Sequence, residues 1–93
     1  MPRFHLHIRC EGELIADEEG VEYPDHATAV LQAIRGARCI MAGEVTAGKL
    51  HLDQAIEIHD AVGRRLTTVP FTEALEVVGA PKKTRNMSAK RGR

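Results

Sequence analysis

Ninety-three residues, 43% hydrophobic and 28% charged, suffice for one domain with one core and are too apolar for wholesale disorder. Three aromatic residues, Phe4, Tyr23 and Phe71, exclude a stacking platform for nucleobases, and two cysteines exclude a disulfide framework. The net charge of zero hides a split: residues 1–81 carry seven Lys/Arg against thirteen Asp/Glu, a net −6, whereas residues 82–93 carry six cations and no acid.

Residues 3–10 alternate, with Phe4, Leu6, Ile8 and Cys10 on one side and Arg3, His5, His7 and Arg9 on the other, which predicts a half-buried strand. That opening lacks the continuous apolar stretch of a signal peptide, and no run approaches the roughly 18 apolar residues that span a membrane. The expectation is a cytoplasmic protein with both thiols reduced. Glu11-Gly12 is a turn signal, and residues 13–16 return as a second strand. Asp17-Glu18-Glu19-Gly20 reads as a polar turn before a brief extended piece at 21–23.

Pro24-Asp25 opens a helix, with the Asp25 carboxylate as its cap, and the helix is predicted to run to Ala47 before a left-handed stop at Gly48. Its predicted core stripe is Ala27, Leu31, Ile34, Met41 and Val45, flanked by Val30 and Ala37. The opposite side carries Ala29, Ala33, Gly36, Ile40 and Gly43 at alternating spacings of four and three, the repeat of a helix–helix seam. Glycine inside an exposed helix costs about 1 kcal/mol relative to alanine, so two of them ask for a packing reason. Residues 54–59 and 64–71 form a hairpin about the turn Asp60-Ala61-Val62-Gly63, and Pro70 predicts that the second strand's end lies at a sheet edge or leaves the ladder. Thr72 is placed to cap a short helix over 73–78, and from Ala80 onward the composition predicts a disordered tail.

The segments Met1-Pro2-Arg3-Phe4-His5-Leu6-His7, Asp17-Glu18-Glu19-Gly20-Val21-Glu22, Ile56-Glu57-Ile58, Gly63-Arg64 and Thr68-Val69-Pro70-Phe71 occur in order around the alanine-bearing helix. In order and spacing the chain resembles a family of short bacterial proteins known as a domain of unknown function, number 6894, over residues 1 to about 75. The resemblance implies no activity, cofactor or catalytic residue.

Several groups of residues invite chemistry. His5 and His7 share a strand face, and His59 joins them if its strand lies alongside; zinc would need a third ligand, and Arg3 and Arg9 on the same face oppose a cation. Asp17, Glu18, Glu19, Glu22 and Asp25 offer oxygen ligands but lack the spacing of a calcium loop, and they also suit a solvated turn. Cys10 falls on an apolar strand face and Cys39 on the outer side of the helix, neither with a sequence-local base. Gly36 and Gly43 lie within the helix and make no phosphate loop. Lys82, Lys83, Arg85, Lys90, Arg91 and Arg93 are suited to non-specific nucleic-acid contact, or to solubility alone.

The fold expected is α+β in the order β-β-α-β-β, one long helix packed on a small antiparallel sheet over residues 1–79, followed by a basic tail at 80–93. The function expected is that of a non-enzymatic interaction module that forms a homodimer through Ala29, Ala33, Gly36, Ile40 and Gly43, with no metal, no cofactor and no membrane. The alternative is a nucleic-acid-binding accessory protein that uses its tail, and a third reading is a small metal-dependent enzyme.

Overall fold

The alternation of Phe4, Leu6 and Ile8 with His5, His7 and Arg9 builds the strand on which the other elements assemble, β1 (Arg3–Cys10). In the computed structural model, which describes residues 1–79, it is followed by β2 (Glu13–Ile15), β3 (Val21–Glu22), the helix α1 (His26–Thr46), β4 (Ala55–His59), β5 (Arg65–Pro70) and a single helical turn, α2 (Phe71–Ala74). The segment 80–93, with Lys82, Lys83, Arg85, Lys90, Arg91 and Arg93, lies outside the described residues.

The strands form one antiparallel sheet in the order β2-β1-β4-β5, with β3 also paired to β1. Glu11 and Gly12, both at positive φ, make the tight turn that returns β2 onto β1. Leu6 lies opposite Ile58, Ile8 opposite Ile56, and Ile56 opposite Val69, so one face of the sheet is aliphatic. At the β4–β5 turn the Asp60 carboxylate accepts from the amides of Val62 and Arg64 and pairs with the Arg64 guanidinium. A bulge interrupts this ladder: Ile58 pairs with Thr67 but His59 pairs with Arg65, which leaves Leu66 unpaired. Pro70 closes β5 on the open edge of the sheet, where its missing amide costs nothing.

Asp25 caps α1, its Oδ1 accepting from the Thr28 amide at 2.8 Å. The helix ends at Ala47, and Gly48, at φ 90°, turns the chain away. Glu44 then holds the loop into β4, its carboxylate accepting from the His51 amide and from the buried side chain of Gln54.

The helix is rotated relative to the stripe expected from hydropathy. Ala29, Ala33, Ala37 and Met41 are buried, Val30, Ile34 and Ile40 pack partly against the core, and Leu31 and Val45 are 61% and 59% exposed. Ala27 is exposed as well. The seam reading is therefore corrected: Ala29 and Ala33 lie beneath the protein's own sheet, and a Cβ on Gly36 would stand 3.8 Å from Ile56 Cδ1. Ile40 joins the same core, and Gly43 faces open space. The reason is volume. Phe4, Ile56, Ile58 and Phe71 fill the space between the layers, so the helix must contribute its small residues there to reach interior packing density.

The terminal helix is also shorter than expected. Phe71 and Ala74 are buried in one turn, Pro70 rather than Thr72 stands at its cap with no side-chain hydrogen bond, and Leu75 is already extended. Burial of Phe71, whose amide donates to Gln54 O, and donation from Arg38 Nε to Ala74 O tie this turn to the domain.

The rotation makes opposite predictions for two neighbouring positions. Ala33→Leu forces extra volume into a filled layer and is expected to cost about 1–3 kcal/mol in urea unfolding. Leu31→Ala removes an exposed side chain and is expected to change stability by no more than about 0.5 kcal/mol.

Candidate functional site

With α1 covering the aliphatic face, the other face of the sheet is free of any covering element among the described residues. Strand alternation presents Arg3, His5, His7 and Arg9 from β1 and Glu57 and His59 from β4 on that face. Register sets His5 opposite His59 and His7 opposite Glu57. The pairing of β4 with β1 meets the condition set for His59, and the three histidines come together: the His7 and His59 rings meet edge to face at 4.5 Å, and His5 and His7 stack at 6.1 Å. They line a cleft of about 290 Å³ together with Asp17, Glu18 and Asp60.

Glu57 lies beneath this face. It is 4% exposed and accepts from Arg9 Nε at 2.6 Å and from His59 Nε2 at 3.2 Å, with Arg65 Nη1 at 3.9 Å. The Arg9 guanidinium, more than any other neighbour, holds the Glu57 carboxyl below the usual range despite its burial. A buried carboxylate needs such partners, and here they also fix the direction of His59.

Asp17 organises the other wall. Between the pairings of β1 with β2 and with β3, the Leu6 amide donates to Asp17 Oδ2 at 3.1 Å, so a side chain stands in for a strand. Asp17 Oδ1 accepts from the Gly20 amide, closing the loop on itself. Gly20 adopts φ 71°, and a Cβ there would fall 2.8 Å from Phe4 O, so glycine is required by both conformation and space.

The backbone of Asp17 assigns two tautomers. Its carbonyl accepts from His5 Nδ1 at 2.7 Å, which places the proton of His5 on Nδ1 and leaves the lone pair on Nε2. Its amide donates to His7 Nδ1 at 2.9 Å, which places the proton of His7 on Nε2. Burial first, then the neighbouring His59 and His5, push the His7 pKa below its ordinary value. His59 aims each of its nitrogens at an oxygen, Nδ1 at Gly63 O and Nε2 at Glu57. His5 keeps a free lone pair on Nε2, whereas the His7 Nδ1 lone pair is taken by the Asp17 amide and both His59 nitrogens face oxygens. Accordingly, no group of three His, Cys, Asp or Glu residues among the described residues is arranged to hold a metal ion.

The remaining candidates are either engaged within the protein or placed elsewhere. The Asp17 carboxylate is engaged by two amides rather than offered to a cation. Cys10 pairs opposite Glu13, and burial together with nearby Glu11 and Asp53 pushes its thiol pKa up, against a nucleophilic role. Cys39 is exposed on α1. Reading by residue type missed Glu57 and took Asp17 only as one oxygen ligand of an acidic turn. Glu57 had a signal in sequence, as the one acid set between the aliphatic residues Ile56 and Ile58 of a strand. The dual role of Asp17 had none, because it depends on which strand the loop abuts.

No helix among the described residues is long and apolar enough to cross a membrane. The family described as a domain of unknown function, DUF6894, matches residues 3–72. No curated protein and no solved structure matches the chain.

The tautomers make a prediction about metal. Untagged protein equilibrated with Zn²⁺ and then dialysed is expected to retain less than one equivalent by elemental analysis. A full equivalent, lost on His5→Ala or His7→Ala, would mean that the Asp17 bonds yield to the metal.

Proposed function

Given that the chain belongs to the DUF6894 family over residues 3–72, we propose that it is a non-enzymatic binding module whose recognition surface is the outer face of the sheet, centred on the histidine cleft. The observation that carries this reading is the pair of opposite tautomers set by Asp17. His5 presents an acceptor and His7 a donor on adjacent rings of one cleft, a pattern that complements an amide, which offers N–H and C=O together. An amide is also the repeating unit of a protein partner, which connects the cleft to an interaction role. Arg9 and Arg65, 46% and 62% exposed at their side chains, flank this surface with positive charge within an otherwise acidic body.

N-methylacetamide, titrated into labelled protein, is the simplest probe of this reading. Its resonance shifts are expected at His5, His7 and Asp17, and His5→Phe is expected to abolish them. Weak shifts spread evenly over the surface would remove the cleft from consideration.

Charge favours a second reading, an accessory role on nucleic acid. Six cations at 82–93 face no acid in their own segment, and each can neutralise a phosphate. With all six engaged, log K against log salt would fall with a slope of about −5 on duplex DNA. A chain ending at Gly79 is expected to lose most of that affinity and most of the slope. Binding unchanged by the truncation would transfer the contact to Arg9 and Arg65 on the sheet.

A further inference from the structure

The Asp17 amide is held by a histidine nitrogen, an acceptor that disappears on protonation. We infer that His7 is an acid-sensitive latch on the Asp17–Gly20 loop: a proton taken at Nδ1 removes the acceptor of the Asp17 N–H, and the loop opens from β1. The inference concerns regulation of the cleft proposed above as a binding surface, but it stands on the free protein and its test needs no ligand.

The geometry separates the three histidines. His7 carries its proton on Nε2, so the next proton must enter at Nδ1, where it meets the Asp17 N–H as a second donor. His5 already donates from Nδ1 to Asp17 O, and its next proton enters at Nε2 without disturbing that bond. His59 directs both nitrogens at oxygens, so a proton there also leaves its bonds in place. One ring of the three thus converts a gained proton into a lost hydrogen bond.

The bond at stake lies at the start of the loop. Asp17 is otherwise held by Leu6 N, Gly20 N and His5 Nδ1, the exposed Arg3 guanidinium donates to the Glu19 and Gly20 carbonyls at the loop's far end, and the loop is continued by a strand of two residues, β3. The groups around His7 oppose one another. His5 and Arg9 on β1 and His59 on β4 disfavour its charge, as does Arg65 across Glu57, whereas Asp17 and Glu18 on the loop, Glu57 on β4 and Asp60 on the turn favour it. Burial and the neighbouring imidazoles prevail, and the His7 pKa lies below 6.5.

The sign of the linkage follows. The closed loop binds a proton at His7 less readily than the open loop does, so closure is fully stabilised above the ordinary imidazole pKa of 6.5 and weakens as pH falls toward the lower pKa of the folded state. Within that window the opening constant rises up to about tenfold per pH unit.

Ring-nitrogen NMR and amide hydrogen exchange on the full-length chain, between about pH 8 and 5, read the latch directly. His7 is expected to be the Nε2–H tautomer and to titrate below free imidazole. Protection of the Asp17 and Leu6 amides, corrected for intrinsic exchange, is expected to fall across that titration. His7→Asn places a carboxamide oxygen where Nδ1 stood and is expected to keep the loop closed and its protection independent of pH. A His7 that titrates at or above free imidazole overturns the inference, as does Asp17 protection that stays constant in the parent. The same loss of protection in His7→Asn would assign the response to His5 or His59 and overturn it equally.

Discussion

Where α1 meets the sheet, every fourth residue is an alanine until Met41, so the helix approaches on methyl groups while bulk is supplied by Phe4, Ile56, Ile58 and Phe71. This division of volume fixes the helix rotation, because turning Leu31 or Val45 inward would overfill a layer already closed by large side chains. It also fixes which strand residues meet the helix, and hence which ones remain on the far side. The polarity of the outer face is therefore a consequence of packing on the inner one. A strand shows its two faces in strict alternation, and no residue can serve both.

On that outer face the polar groups are satisfied in a chain running from loop to strand to strand. Asp17 occupies the stretch of β1 between two short partners and orients His5 and His7, while Glu57 anchors Arg9 and orients His59. The two acids act differently. Asp17 works chiefly through backbone and amide contacts, and Glu57, itself buried, works through ion pairs with arginines that reach into solvent. One wall of the cleft is thereby held by main-chain hydrogen bonds and the other by charge.

Local patterns made most of the fold legible. The eight-residue alternation of β1, the Asp25 cap, the glycine stop at Gly48 and the hairpin about Asp60 are each written in neighbouring residues. The rotation of α1 was not, because both of its faces are apolar and hydropathy favours the one with larger side chains. Only the bulk of the sheet decides in favour of the small face, and that is a property of residues on other elements of the chain. The site was half legible for a related reason. Alternation put His5 and His7 on one face, but the arrival of His59 needed the register of β1 on β4, and the tautomers needed the position of a loop.

The bulge in β5 has an effect out of proportion to its size. Counting back from Thr67, which faces Ile58 on the helix side, an unbroken strand would set Leu66 opposite His59 on the outer face and send Arg65 toward the core. The unpaired residue shifts the phase by one, and a guanidinium rather than an isobutyl group comes to stand near Glu57. Chemistry on this surface is thus encoded by chain length as well as by residue identity. Loss of the Leu66 codon would straighten the strand and keep Arg65 opposite His59, whereas loss of the neighbouring Arg65 codon would set Leu66 there and exchange a cation for a hydrocarbon near the buried carboxylate. Alignments that score only matching letters would register either event as a minor gap.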